Sequence, residues 1–321
     1  MPRIATGLLL ADRLGLWKAR WGIGRLKYMV PPGLYAIGVP TPEAPVLVTA
    51  SYKMSYDIVR SALAGRDVWL LVLETYGINV WCAAGKGTFG TEELVRRVRA
   101  TDLEKVVSHR RLILPLLGAP GVAAHTVTKE TGFNIRYGTI RASDLPAYLD
   151  NGMRVTPAMR ELTFSFRERL ALIPVELMGA LKPTAMAVAA LFLIFLALRG
   201  SVQGLMAVYA YLGAVAAGVV VTPLLLPWLP GRSFAGKGAL VGLLWSAIFY
   251  ALAGGQGWSR FVAAAASLVL PAISAFYALN FTGCTNFTSR TGVKKEMRLA
   301  MPVMGAALLM GVLLMLAGLF L

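Results

Sequence analysis

The stretch PVLVTASYKMSYDIVRSALAGRDVWLLVL, residues 45–73, sets the fold. Pro45–Ala50 is a short apolar run of strand length. Ser55–Ala64 then places Ile58, Val59, Ala62 and Leu63 at helical spacing, and Asp67–Leu73 is a second apolar run of strand length. Strand, helix and strand in this order form the unit of a parallel sheet, because a crossover of about a dozen residues is what brings the second strand back beside the first in the same direction. The pattern continues downstream. Thr91–Val107 reads as a charged amphipathic helix, Arg111–Leu114 as a third strand, Ala123–Glu130 as a helix and Phe133–Tyr137 as a fourth strand. Ser143–Leu149 closes the series as a helix with Asp144 in its first turn.

Alternation of this kind predicts a Rossmann-like α/β domain with helices on both faces of a parallel sheet. In such sheets ligands bind beyond the carboxyl ends of the strands. That rule selects Thr49–Lys53, Glu74–Lys86, the Gly118–His125 loop and the Gly138–Ser143 loop. The second of these opens the most distinctive string of the chain, ETYGINVWCAAGKGTFGT, residues 74–91.

Residues 181–321 have a different texture. The chain is 57% hydrophobic, and the excess lies in five apolar stretches at about 181–198, 204–222, 238–254, 261–281 and 299–321. Each approaches the roughly 20 residues that a helix needs to cross the hydrocarbon. The expected organisation is a globular domain over 1–180 and an all-α transmembrane domain of five helices over 181–321. The net charge of +16 divides as +9 in residues 1–182 and +7 in 183–321. Both shares suit a protein held against an anionic membrane, and no basic stripe interleaved with aromatics argues for nucleic acid. Arg167, Arg169 and Lys182, then Arg232 and Lys237, then Arg290–Arg298 fall in alternate connections, which places them on the cytoplasmic side and the C-terminus outside. The opening MPRIATGLLLADRLG is broken by Asp12 and Arg13 before it reaches the length of a signal-peptide core, so the first domain is expected in the cytoplasm, on an inner membrane. Within the spans, Pro271 and Asn280 are the main departures from an apolar helix, and an anchor is the simpler reading than a transporter. The polar segment 280–290 contains Cys284, a minor candidate for a soft metal ion.

Only two cysteines occur, Cys82 and Cys284. They exclude a disulfide framework, and they fall short of the four thiolates that an iron–sulfur cluster ordinarily takes. The 74–91 string then admits three readings. Gly85, Gly87 and Gly90 form a GxGxxG, which would suggest a nucleotide-binding domain in a membrane sensor or transporter. That fingerprint must follow its strand immediately, however, and here eleven residues intervene after Leu73. A P-loop fails because Val80 stands where glycine is required. The second reading makes Trp81 and Cys82 packing residues. In the third, Asn79 caps a short helix whose first turn holds Cys82, a helix start favours an anionic sulfur, and Lys86 adds positive charge. Ala83, Ala84 and Gly85 are small enough to let a broad flat ligand lie close.

NVWCAAGKGTFGT resembles the cap-helix motif of the HgcA family of mercury-methylating corrinoid proteins, and of the related domain in the corrinoid iron–sulfur proteins of the acetyl-CoA pathway. The resemblance covers both halves, since that family too joins such a domain to five C-terminal transmembrane helices. It implies a corrinoid-dependent methyltransferase with cobalamin-type cofactor, in which Cys82 is the lower axial ligand of cobalt and the catalytic residue. Asn79, Val80, Trp81, Ala83, Ala84, Gly85 and Lys86 would form the cap helix beneath the corrin. The implied reaction passes the cobalt-borne methyl group to Hg(II), giving methylmercury. A methyltetrahydrofolate-linked donor would supply the methyl group. A ferredoxin-like partner of the HgcB type would supply electrons and carry Hg(II). A corrinoid methyl carrier with another acceptor would use the same residues. The DxHxxG signature of histidine-ligated corrinoid modules is absent, and His109 and His125 stand outside any such pattern. Beyond the cap helix, Thr49 is the expected second cofactor contact, as a strand-end hydroxyl, with Glu74 and Thr75 behind it.

Overall fold

The computed structural model describes residues 1–285 and 287–320, without the side chains of Cys284, Arg290, Leu319 and Phe320. The Cys284 thiol therefore lies outside the described part, as do Asn286 and Leu321. The chain separates into two compact units, Met1–Thr163 and Phe164–Leu321.

In the first unit, β1 (Arg3–Ile4), β2 (Gly33–Ile37), β3 (Val46–Ala50), β4 (Val68–Leu73), β5 (Arg111–Leu114) and β6 (Asn134–Tyr137) form one sheet in the order β1-β2-β4-β3-β5-β6. The strands read from the sequence, β3 to β6, run parallel as expected, with Val46 beside Trp69 and Leu112. The sheet as a whole is mixed, because β2 pairs antiparallel to β4, Gly33 opposite Val72. β2 carried no sequence signal. Its five residues follow Pro31-Pro32, and its pairing is set by a strand some thirty residues on.

Helices α2 (Lys53–Ala62) and α7 (Leu145–Asp150) cover one face. On it Leu47, Val72 and Ile113 pack with Tyr56, Leu63 and Tyr148. The other face carries α3 (Val80–Lys86), α4 (Thr91–Ala100), α5 (Leu103–Val106) and α6 (Ala124–Thr131). There Val48, Ala50, Leu71 and Leu73 meet Ala83, Ala84, Leu94, Leu103 and Val127. The single helix expected over 91–107 is thus two. Thr101 Oγ donates to the Arg97 carbonyl and Asp102 adopts a left-handed conformation, so the first helix ends there and α5 restarts at a new angle.

Helix α1 (Leu10–Arg20), unforeseen in the sequence, is fastened to α2 by charge. Lys53 bonds Asp12 and Asp57 at 2.6 Å each, and Arg60 bonds both carboxylates at 2.7 Å. Arg60 also donates to the carbonyls of Ala5 and Gly7. The hydrogen bond from Lys53, with further bonds from Leu9 N–H and Arg60 that outweigh burial, holds the Asp12 carboxyl down at about 2. Its contribution to stability is therefore complete above its ordinary range near 3.8 and is lost as pH falls from there toward 2. Acid titration of the full chain by near-UV circular dichroism is expected to show a transition in that window that is absent from Asp12→Asn.

The second unit is helical: α8 (Phe166–Leu170), α9 (Ile173–Arg199), α10 (Ser201–Ala216), α11 (Thr222–Leu225), α12 (Phe234–Leu252), α13 (Arg260–Asn280) and α14 (Arg290–Phe320). A π-helical turn over 217–221 joins α10 to α11. Among the described residues five stretches, Phe166–Arg199, Ser201–Leu225, Phe234–Leu252, Arg260–Gly283 and Thr291–Gly318, are long and apolar enough to cross a membrane. The unit starts at Phe164 where hydropathy alone placed the division at 180/181. Residues 164–172 are polar enough to resemble a soluble segment, yet Arg169 is buried among Phe164, Phe166 and Trp228 and donates to the carbonyls of Phe164 and Leu224. Phe164 and Leu172 in turn pack on Leu226, Phe234 and Phe281.

Candidate functional site

The sequence of α3 divides it into two faces. Val80, Ala83 and Ala84 fall on one side of the helix and pack into the core, whereas Trp81, Cys82, Gly85 and Lys86 are exposed on the other. Asn79 Oδ1 accepts the Cys82 backbone N–H at 3.0 Å, the cap that the sequence predicts. At the other end Gly87, at φ +84°, turns its N–H back to the carbonyls of Ala83 and Ala84. Cys82 is thus an exposed free thiol on the first turn of a helix closed at both ends, one turn before Lys86.

Helix α3 is held across the carboxyl end of the sheet. It leaves the loop after β4 and packs against the Leu116–Gly121 turn that follows β5, so it reaches over the end of β3. The fit is tight: a Cβ on Gly121 would lie 2.2 Å from the Phe89 carbonyl oxygen and 2.9 Å from Ala84 Cα. Both are backbone atoms, which cannot swing aside.

A buried polar network fixes the loop that launches α3. Ser51 Oγ donates to Glu74 Oε1 at 2.9 Å and accepts the Thr75 N–H at 3.0 Å. Thr75 Oγ donates to the Ile78 carbonyl, and Glu93 accepts the Glu74 N–H at 2.8 Å. Burial pushes the Glu93 carboxyl up, but the bonds from Glu74 N–H, Arg97 and Arg96 prevail and hold it below the ordinary range. Replacing Ser51 by alanine would leave the Thr75 N–H buried without its partner, at a cost of about 1–3 kcal/mol. The expected result for Ser51→Ala is a lowered melting temperature, together with faster amide exchange at Thr75 and along α3 than in the remote strand β6.

Of the sequence-predicted residues, Glu74 and Thr75 belong to this network and support the loop, whereas Thr49 does not. Thr49 is 1% exposed. It alternates with Val48 and Ala50 and pairs with Val72, so it points with Leu47 to the α2 and α7 face, away from Ala83 and Ala84. It does not join Cys82.

The sequence reading missed the strap 25–30. Val30 N–H donates to the Ser51 carbonyl, Lys53 N–H to the Tyr28 carbonyl, and the Leu26 carbonyl sits against Gly77. Leu26, Tyr76 and Trp81 are exposed apolar side chains along these elements. The three glycines of the GxGxxG separate in role. Gly85 lies within α3, Gly87 ends it and Gly90 precedes α4, so they build a helix–turn–helix joint and not a strand-to-helix phosphate loop.

Among the described residues no three His, Cys, Asp or Glu side chains converge on one point. Cys82 is a lone soft donor, which suits a metal whose other positions are already filled by a macrocycle and does not suit a free ion. Of the three small residues expected to let a flat ligand lie close, Ala83 and Ala84 are turned into the core, and Gly85 alone lies on the exposed face with Cys82.

Residues 25–149 match the family model described as CO dehydrogenase/acetyl-CoA synthase delta subunit. The acetyl-CoA decarbonylase/synthase complex subunit gamma of Methanopyrus kandleri is 37% identical over 123 residues, 38% of this chain and 26% of that protein. The subunit of the same name from Archaeoglobus fulgidus is 32% identical over 128 residues, 39% and 27% of the two chains. The chain thus spans about a quarter of the length of these curated relatives. Through residues 25–149 it is similar to the CO dehydrogenase/acetyl-CoA synthase delta subunit family, and Cys82 with every element that frames it, from the strap to the Leu116–Gly121 turn, lies inside the matched stretch.

Proposed function

We propose that this chain is a membrane-held corrinoid methyltransferase in which Cys82 would hold the corrinoid cobalt, with Hg(II) as the methyl acceptor. The observation that carries the reading is the exposed Cys82 thiol on a pinned helix at the carboxyl end of the sheet. When bound, a corrinoid supplies a cobalt centre able to carry a methyl group and give it up to an acceptor. The chain's own part is to bind, orient and donate. Asn79 occupies the Cys82 N–H and fixes the first turn. The Cys82 sulfur, a soft donor, would be the group that holds the metal. Val80, Ala83 and Ala84 lock the helix to the core so that the sulfur does not drift. Trp81 and Gly85 offer the flat face.

With two cysteines in all, this chain lacks the usual ligand count for a cluster of its own. The resemblance would assign the electrons to a ferredoxin-like partner of the HgcB type, which would also deliver Hg(II) from its thiolates, and the methyl group to a methyltetrahydrofolate-linked donor. The positive-inside pattern supports a cytoplasmic first unit on an inner membrane with the C-terminus outside.

The test is an anaerobic single-turnover assay of the full chain loaded with methylated corrinoid. Methylmercury formed from Hg(II) faster than by the same methylated corrinoid free in solution is the expected result. If Hg(II) is not methylated but another electrophile is, the chain is a methyl carrier with a different acceptor. If the chain retains no corrinoid, the whole reading fails.

A further inference from the structure

The helix α1 is mounted inside out for a soluble protein. Its inward line is Asp12, Gly15 and Ala19. Asp12 is tied to Lys53 and Arg60, Gly15 lies under the Tyr28 ring, and Ala19 is 1% exposed. The outward line, at helical spacing, is Leu10, Leu14, Trp17 and Trp21. Leu10, Leu14 and Trp17 are 73%, 52% and 64% exposed, and Leu9, Ile23 and Leu26, close by in the chain, are exposed as well. An apolar stripe of this extent is not a feature of an idle surface. Its flanks are basic: at 100° per residue, Arg13 and Arg20 lie to one side of the stripe and Lys18 to the other, all three exposed. Asp12 is the single acid among residues 1–30, and it is turned inward and neutralised.

We infer that α1 is an interfacial helix that docks the first unit on the surface of an anionic phospholipid bilayer, with Leu10, Leu14 and Trp17 in the acyl boundary and Arg13, Lys18 and Arg20 on lipid phosphates. An apolar face bounded on both sides by cations, with tryptophan at its centre, fits a plane of hydrocarbon beneath a layer of phosphate. A protein groove lined with acids would meet the cations but not a Leu–Leu–Trp face this open. A bilayer is also at hand, since the described residues of the same chain include helices long and apolar enough to cross one. The inference is independent of any cofactor.

The full chain, with Cys82 and Cys284 replaced by serine, would carry a nitroxide at Leu14→Cys, at Trp17→Cys or, as control, at exposed Lys105→Cys. It is placed in nanodiscs of phosphatidylcholine alone or mixed with phosphatidylglycerol. In the mixed discs, collision with oxygen should dominate collision with a water-soluble nickel chelate at positions 14 and 17, and the reverse should hold at 105. The combined Arg13→Glu, Lys18→Glu and Arg20→Glu substitutions should return positions 14 and 17 to the control pattern. Nickel access equal to the control in both discs overturns the proposal. So does protection from both oxygen and nickel, which would mean that protein covers the helix. An oxygen-dominated pattern that is the same in neutral discs overturns the anionic requirement.

Discussion

Cys82→Ala is expected to abolish stable corrinoid retention while leaving the fold intact. The two effects separate because of where the residue sits. Its side chain is exposed on α3 and belongs to no core cluster, whereas the neighbours that anchor the helix, Val80, Ala83 and Ala84, are untouched. The Asn79 cap engages the backbone N–H of residue 82, which alanine retains. Truncation of such a surface side chain changes stability by no more than about 0.5 kcal/mol. Loss of the proposed bond from Cys82 to the metal should cost at least about 1.4 kcal/mol, which is tenfold in affinity. The measurement is the visible absorption remaining after gel filtration of the full chain incubated with corrinoid, beside a thermal melt. Cys82→His offers an imidazole, the commonest side-chain metal ligand. It should restore part of the retention with a shifted spectrum, whereas Cys82→Ser should not. Undiminished retention in Cys82→Ala would remove the axial-ligand assignment.

That expectation comes from a part of the chain that could be read without coordinates, because its determinants are local. Asn79, the three small residues after Cys82 and the left-handed Gly87 specify a short capped helix within nine positions. Likewise the 45–73 unit was legible, since β3 and β4 are buried on both faces and α2 shows one apolar side. What escaped was non-local. Which way Thr49 points depends on strand register, and a one-residue difference reverses it. A strand-end hydroxyl looked available, but Thr49 alternates with Val48 and faces the other layer. Ser51 and Glu93 work through partners 23 and 19 residues away, and neither sits in a pattern that marks it. The strap had no periodicity, because its hydrogen bonds go to Ser51 and Lys53 and its Leu26 carbonyl packs on Gly77.

The strap is also why a substitution far from Cys82 should reach the site. Asp57 is fully buried and accepts from Lys53 and Arg60, with Tyr28 Oη at 3.4 Å. Asp57→Ala would strand the Arg60 guanidinium, itself 7% exposed, with half of its carboxylate pairing gone. Removing one partner of a buried ion pair costs about 3–5 kcal/mol, a large part of the 5–15 kcal/mol or so that holds a domain folded. The loss would fall first on what the cluster ties down: α1, the Ala5–Gly7 segment and, through Tyr28, the strap whose Leu26 carbonyl lies on Gly77. Amide exchange should therefore rise in residues 5–30 before it rises in β3 to β5, and corrinoid retention should weaken although Cys82 and α3 are unaltered. Asp57→Asn, which keeps the acceptor oxygen but not the charge, should fall between. Uniform exchange across the unit would instead mean that the cluster supports the whole sheet. An unchanged melting temperature in Asp57→Ala would mean that Asp12 alone carries both cations.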